Sequence, residues 1–500
     1  MNQDAIDTIL DDEVTFYVDE QNRAEVYVEY LNAENVKSFE PVNSRFFEAF
    51  LGIRYNDLTG ENARPNFKQA LALRMDRAIY YKENPVTIHR RITGNLSKGI
   101  TYFLADDQWR YVVVTEKKPK ISKKSDFKFL KTIEDREQVR PEPGGDYLDL
   151  VLPKLNMSDD DALLYAIYLV HGFCRDSNHF AAVISSSKGT GKSTLSRMTS
   201  ELISPCRTSI TIQPNTEDDL KTILANNYVA AFDNTRTFSE AFSNILCPAI
   251  TGGTATKRKL YTNSDQVVYK LHNMILINGI DVVPYKADLA ERSLYFELKP
   301  IPSDKRRTDS EIWEEFEQDK PRILGAIFNT LSSAMQILPT VKIEKYHRMA
   351  EAHKEMTAIA LALGIEQSEF QRILDANMQK LNETYAKNNA FVSFVLKYME
   401  KRGKVELAVS DLYNDMYRFL YESTPGDKSF FPGNDSRLSR KLNEERDALL
   451  HEGYQFERSS NSKHNCIKIS RVPQRQMTKE QKAVAEARRK YLISSASNDD

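Results

Sequence analysis

One run, FAAVISSSKGTGKSTLSRMTSELI (180–203), constrains the fold more than any other part of the chain. An apolar strand ends at Ile184, a loop of small residues follows, and a helix begins near Lys192. The loop matches G-x-x-x-x-G-K-[ST] except at its first position, where Ser186 stands. Gly189 and Gly191 let the backbone curl until consecutive N–H groups face one point, which suits phosphate oxygens. The helix N-terminus adds its positive end to the same anion site. Ser187, Lys188, Gly189, Thr190, Gly191, Lys192, Ser193 and Thr194 are therefore the expected phosphate cradle. Lys192 reaches the β- and γ-phosphates and the Ser193 hydroxyl ligates Mg²⁺, so ATP and Mg²⁺ are the expected ligands. A strand–loop–helix of this kind calls for an α/β sheet domain.

Such a loop needs a second acid near the metal, at the end of a neighbouring strand. NNYVAAFDN (226–234) supplies an apolar strand ending in Asp233, the expected partner of Ser193 at Mg²⁺. Asn234 follows; an amide cannot accept a proton, so it would orient the attacking water. ATKRKLYT and QVVYKL then read as a β-hairpin turning at Asn263–Ser264–Asp265. HNMILING is a further strand tipped by Asn278, and Arg292 stands just before one more strand in DLAERSLYFEL.

Phosphate loop, Asp-Asn strand, hairpin, Asn-tipped strand and late arginine stand in the order of the superfamily 3 helicases, a branch of the AAA+ ATPases. ILINGIDVV resembles their sensor 1 strand, and AERSLYFEL resembles their arginine-finger segment, as in the papillomavirus replication helicase. FDNTRTFSEAFSNILCPAITGGTATKRKLYTNSDQ is similar to ATPases of phages, satellites and genomic islands, among them pathogenicity-island Rep proteins that are self-loading replication helicases. The resemblance spans roughly residues 85–472. It implies a ring, expected to be a hexamer, with ATP between subunits. In that picture Asn278 is sensor 1 and Arg292 reaches a neighbouring subunit's γ-phosphate. The hairpin would follow a DNA strand through the channel, with Lys257, Arg258 and Lys259 as its basic cluster and Tyr261 and Asn263 near its tip. In the viral helicases the tip itself is basic; here the tip is polar and the charges sit on the first strand.

The flanking regions divide by composition. Residues 1–140 read as an α+β domain: EVTFYVDEQNRAEVYVEYL as two strands, NFKQALALRMDRAIYY as a helix, and GITYFLADDQWRYVVVT as another strand pair. The basic run 117–131 is either a solvated loop and edge strand or a contact to a phosphate backbone. Clustered Pro and Gly in 136–150 mark a boundary. Residues 141–301 form the ATPase core, which Ser158 and Asp161 open with a capping signal. Residues 302–388 are helical by apolar period, 389–472 a smaller unit, and 473–500 a polar tail.

Residues 391–423 read as helix, strand, helix. A third helix over 436–450 buries Leu438, Leu442, Leu449 and Leu450, and 454–471 is a terminal hairpin. Three helices and a hairpin form the winged-helix arrangement, which the family resemblance also implies. Arg437, Arg440 and Lys441 are then expected on the outer face of the third helix, where a reader helix enters the major groove. Lys463 is expected on the wing. The alternative for this unit is a protein–protein winged helix.

Charge narrows the picture. Lys and Arg number 69 against 71 Asp and Glu, a net charge of −2, with 41% hydrophobic residues. That excludes a mainly disordered chain and a uniformly basic DNA coat, and leaves localised contacts with DNA. Cys174, Cys206, Cys247 and Cys466 are far apart, form no CxxC pair and are read as having no His at metal-ligand spacing. Neither a disulfide framework nor a zinc site is expected, and the cytoplasm of a bacterial host fits. No signal peptide and no apolar run of membrane-spanning length is expected. The function these features point to is an ATP-dependent DNA helicase that initiates replication of a phage or mobile element. The alternatives are a DNA-stimulated ATPase that remodels without unwinding, and an origin-binding initiator that uses ATP only to assemble.

Overall fold

The computed structural model describes residues 3–20, 22, 24–60, 67–235, 240–258, 266–280, 287–423, 428, 430–461 and 464–472. Its centre is a five-stranded sheet. Across it the strands run Thr211–Ile212, Val229–Thr235, Met274–Gly279, Ala181–Ser185 and Ser293–Glu297, every adjacent pair parallel. The inner strands are continuous apolar runs, and Ala181–Ser185 and Met274–Gly279 are buried at every position. That is the pattern of strands covered on both faces.

Helix Asp159–His171 packs beneath this sheet. Ser158 caps it by accepting from the Asp161 N–H, and three aspartates sit in its first turn, where the helix dipole favours negative charge. It is apolar nearly all round because helices Ala350–Ala362 and Gln367–Asn388 pack on it as well. Gln367–Asn388 lies along Ser293–Glu297, with Asn377 bonding both the N–H and the carbonyl of Tyr295.

Towards the N-terminus a four-stranded sheet (Lys37–Pro41, Val26–Leu31, Thr15–Asp19, Pro85–Val86) encloses its own core of Phe47, Leu51 and Tyr55 with helices Gln3–Asp12, Arg45–Thr59 and Lys68–Tyr81. A second sheet (Ile92–Asn95, Gly99–Phe103, Tyr111–Val114, Lys120–Ser122) behaves differently: Ile92, Ile100, Tyr102 and Val112 enter the core of the central sheet unit. The segment after it is strapped down. The Gln138 amide donates to Tyr102 Oη and to the carbonyls of Glu201 and Leu202. The Glu142 N–H donates at 2.9 Å to the Pro321 carbonyl in the long helix Asp309–Ile337. Gly325 admits that contact, because a Cβ there would stand 1.8 Å from the Glu142 carbonyl oxygen. The basic run is engaged within the chain in its second half: Lys128 pairs with Glu29, and Lys131 with Asp107 and Glu137.

The C-terminal unit holds helices Ala390–Arg402, Val409–Ser423, Asp435–Glu444 and Arg446–His451 against a three-stranded antiparallel sheet. In that sheet His464–Arg471 lies between Val405–Ala408 and Tyr454–Asn461. The single helix expected over 436–450 is two helices meeting at Glu445. The break turns Leu450 outward to 39% exposure, whereas Leu438, Leu442 and Leu449 are fully buried. Among the described residues no helix is long and apolar enough to cross a membrane.

Candidate nucleotide site

The phosphate loop springs from Ser185 and runs into helix Lys192–Ile203. Gly189 (φ 73°) and Gly191 (φ 90°) take the left-handed conformations the sequence demanded, and no atom lies within 4 Å of where a Cβ would stand on either. Ser186 occupies the position of the missing first glycine. It is buried, and its hydroxyl bonds to the Thr190 hydroxyl, so two side chains brace the loop from within. Ser187, Lys188 and Gly189 are exposed at the rim, and Thr194 lies half-buried on the first turn of the helix.

Lys192 Nζ donates to the carbonyls of Ser186 (2.9 Å) and Ser187 (2.7 Å). It rests on its own loop, within reach of any anion held there. Burial lowers its pKa from the ordinary lysine value, against the opposing charge of Asp233. Ser193 Oγ donates to Asp233 Oδ1 at 3.0 Å. The strand bearing Asp233 is not next to the loop strand as expected, because Met274–Gly279 lies between them. Asp233 still reaches Ser193 because the three strands end together. A bulge between Phe232 and Thr235, with Asn234 at φ 52°, aims the strand tip. Asparagine tolerates that backbone better than most residues.

Asn278 ends the intervening strand and is 1% exposed. Its Oδ1 accepts from the Asn234 N–H (3.1 Å) and its Nδ2 donates to Ser196 Oγ (3.1 Å) on the loop helix. One side chain thus ties the Asp233 strand to the phosphate-loop helix.

Arg292 lies elsewhere. Its carbonyl accepts from the Ala181 N–H, at the start of the loop strand, whereas the loop begins after Ser185. At ~3.3 Å per residue the two are separated by about 16 Å of strand. The Arg292 guanidinium pairs with Asp288, which also takes Arg348, and Arg292 Nε is buried without a hydrogen-bond partner. Burial would raise the Asp288 pKa, but hydrogen bonds from Arg292 and Cys247 and both arginine charges hold it below the ordinary carboxylate value.

A cavity of about 600 Å³ opens beside the loop and was not foreseen from sequence. Gly189, Thr190 and Gly191 form one wall; Leu195, Met198, Leu298, Ile301 and Phe316 supply apolar surface, and Lys305, Arg306 and Arg307 line its rim. Asn156 joins the walls, donating to the carbonyls of Lys299 and Thr190.

Of the residues expected to touch DNA, Lys257 and Arg258 lie on strand Thr254–Arg258, opposite Val267 and Gln266. Lys259, Tyr261, Asn263 and Lys463 lie outside the described residues. Arg437 and Arg440 are exposed on helix Asp435–Glu444. Lys441 departs from the expected outer face: it turns inward to Glu445 (2.9 Å), a buried carboxylate that also accepts from Tyr385 Oη.

The family described as "Actinomycete integrative conjugative element replication protein" has a model that matches residues 148–377, a little under half the chain. The matched stretch contains the whole five-stranded sheet, the loop and helix Ala350–Ala362. Among curated proteins none matches. The A-form apo structure of the NrS-1 C-terminal region aligns at 10% identity and a TM-score of 0.41, covering 94% of this chain and 99% of that one. Another apo structure of the NrS-1 C-terminal region (305–718) gives 11% and 0.39, covering 94% and 100%. A crystal structure of JCV helicase with a bound thiazolopyridinyl-phenoxyphenyl acetamide gives 14% and 0.23, covering 45% of this chain and 63% of that one. The sheet order and loop geometry above stand independently of these low scores.

Proposed function

We propose that this chain is an ATP-driven DNA helicase of the superfamily 3 type, working as a ring in the replication of a mobile genetic element. The observation that carries the reading is the convergence of Lys192, Ser193, Asp233 and Asn278 at the C-terminal ends of three parallel strands. Open parallel sheets bind ligands at that edge. The open backbone around Gly189 and Gly191 suits a phosphate chain, and the adjoining apolar cavity suits a nucleobase. Ser193 and Asp233 offer the hydroxyl and carboxylate oxygens that Mg²⁺ prefers. Mg²⁺ bound there would neutralise charge on the phosphate oxygens. Lys192 would leave the loop carbonyls for the phosphates, Asn278 would hold the Asp233 strand in register, and Asn234 would orient water.

Arg292 supports a shared site. It stands at the N-terminal end of the sheet, turned away from its own loop, so the subunit that could use it is a neighbour. The C-terminal helices and three-stranded sheet suit a winged helix, with the exposed Arg437 and Arg440, the latter beside Glu444, placed to meet duplex phosphates or base edges and Lys441 committed to Glu445. The family match, by its description, supports a replication role.

A second reading, an initiator that uses ATP only to assemble, is favoured by Asn234, which cannot take a proton from water. Multiple-turnover ATPase and fork-unwinding assays on 3′- and 5′-tailed substrates, with Lys192→Ala as control, separate the two. Lys192-dependent unwinding is expected. ATP binding without turnover would leave the initiator standing, and turnover without strand separation would leave a remodelling ATPase.

A further inference from the structure

Near the start of the loop strand, at the opposite end from the phosphate loop, lies a polar cluster that the nucleotide chemistry does not use. Helix Asp159–His171 ends in a turn that brings Cys174 onto the same side as His171, with the Cys174 N–H bonding the His171 carbonyl. Glu355 faces them from helix Ala350–Ala362. One ligand atom from each of His171, Cys174 and Glu355 lies within 4.8 Å of the other two, and all three residues are buried, His171 and Cys174 completely.

Hydrogen bonds hold the cluster from behind. Tyr228 Oη donates to the Gly172 carbonyl at 2.7 Å and lies 2.9 Å from His179 Nε2. His179 Nδ1 faces His171 Nδ1 at 3.2 Å, and His171 Nε2 faces Glu355 Oε2 at 2.9 Å. One imidazole nitrogen of His171 is thus backed by His179, and the other is turned towards the carboxylate.

We propose that these three converging ligand atoms hold a divalent metal of the zinc class, bound by His171 Nε2, Cys174 Sγ and Glu355, with His179 and Tyr228 orienting the imidazole from behind. Nitrogen, thiolate and carboxylate are zinc's ordinary donors, and the thiolate disfavours Mg²⁺ and Ca²⁺. The second Glu355 oxygen can complete four-coordination. A histidine whose other ring nitrogen is hydrogen-bonded from behind is the usual support for such a ligand. Charge balances as well. Binding M²⁺ releases the Cys174 thiol proton to solvent and leaves M²⁺, neutral imidazole, carboxylate and thiolate, net zero. A buried site can thus hold the ion without a net charge of its own. The His-x-x-Cys spacing of 171 and 174 is the one sign of this in the sequence, and the expectation of no zinc site passed over it. The third ligand is far away along the chain.

The full chain, purified without a histidine tag from zinc-supplemented cells, should carry one zinc per chain by elemental analysis. After chelation it should take up Co²⁺ with a thiolate-to-cobalt absorption band in the near ultraviolet. Cys174→Ser should abolish that band, and Glu355→Gln, which keeps a hydrogen bond to His171, should bring metal content to background. Lys192→Ala should leave both readouts unchanged. Substoichiometric zinc together with no thiolate band from the wild-type chain would overturn the proposal and leave a proton-bridged network. So would stoichiometric zinc that persists in Cys174→Ser with an unaltered cobalt spectrum. The wild-type cobalt spectrum decides the matter alone if either variant fails to fold.

Discussion

Ser193 Oγ and Asp233 Oδ1 meet at 3.0 Å although their strands are separated by a third. The contact depends on three parallel strands ending at one level. Asp233→Asn keeps the shape and loses the charge. We expect ATP turnover to fall by about 10²–10³-fold, the usual scale for losing one electrostatic stabiliser. Thermal unfolding should change little, since the bond is partly exposed and worth about 1 kcal/mol. Turnover against Mg²⁺ concentration, with the melting curve alongside, checks both halves.

Lys192 makes its hydrogen bonds only within its own loop among the described contacts, to the carbonyls of Ser186 and Ser187 and to the Ser186 hydroxyl. Lys192→Ala should therefore fold normally and lose steady-state hydrolysis. Circular dichroism and phosphate release measure the two, and residual turnover near wild type would remove the lysine from the chemistry.

Arg292 faces away from the loop of its own chain. Arg292→Ala should retain nucleotide binding and lose hydrolysis by about 10³-fold or more, as for arginines that act across an interface. Mixing it with Lys192→Ala offers a sharper check. In a randomly mixed ring about a quarter of interfaces would join an intact loop to an intact arginine. Activity should return on mixing two inactive proteins, and its failure to return would place Arg292 in a purely structural pair with Asp288.

Asn278 is buried between the Asn234 N–H and Ser196 Oγ. Asn278→Ala leaves Ser196 Oγ without this partner and the Asn234 N–H with Asp233 Oδ1 alone, at a cost of about 1–3 kcal/mol in stability. Turnover should fall more than stability does, because the Asp233 tip loses its tether. Urea unfolding and ATPase rates on the same preparation separate the effects.

Arg91 is 2% exposed and donates to the carbonyls of Phe103, Leu104, Arg136 and Pro205, with Asp135 near its charge. Arg91→Ala should destabilise the chain by about 3 kcal/mol or more, since several buried acceptors lose their donor together. The midpoint of urea denaturation reports it.

The phosphate loop, the Asp233 strand and the Asn278 strand were legible because each is a short apolar run closed by a polar residue, a local pattern. Their order across the sheet was not, since nothing local to 226–234 says that Met274–Gly279 will insert beside it. Helix Arg45–Thr59 escaped because its apolar residues, Phe46, Phe47, Phe50, Leu51, Ile53 and Tyr55, spread around the helix and Phe46 and Ile53 remain exposed. Lys441 was misjudged because its partner Glu445 is drawn inward by Tyr385, 60 residues earlier. The cavity beside the loop and the His171 cluster share that cause: their walls come from segments more than a hundred residues apart.

The strap at 136–150 carries a consequence for anyone cutting this chain. A proline- and glycine-rich run reads as a place for scissors, and the family match begins near its end, at residue 148. Yet Gln138 is bonded to Tyr102 and to the end of the loop helix, and Glu142 is seated on Gly325. A fragment started at 148 would leave bare the side of the core that Ile92, Tyr102 and Val112 cover, and would leave Gly325 as an empty notch. A fragment that keeps this core covered has to include the strands Ile92–Asn95, Gly99–Phe103 and Tyr111–Val114, so a seam that looks like a hinge on paper belongs to the body it was thought to divide.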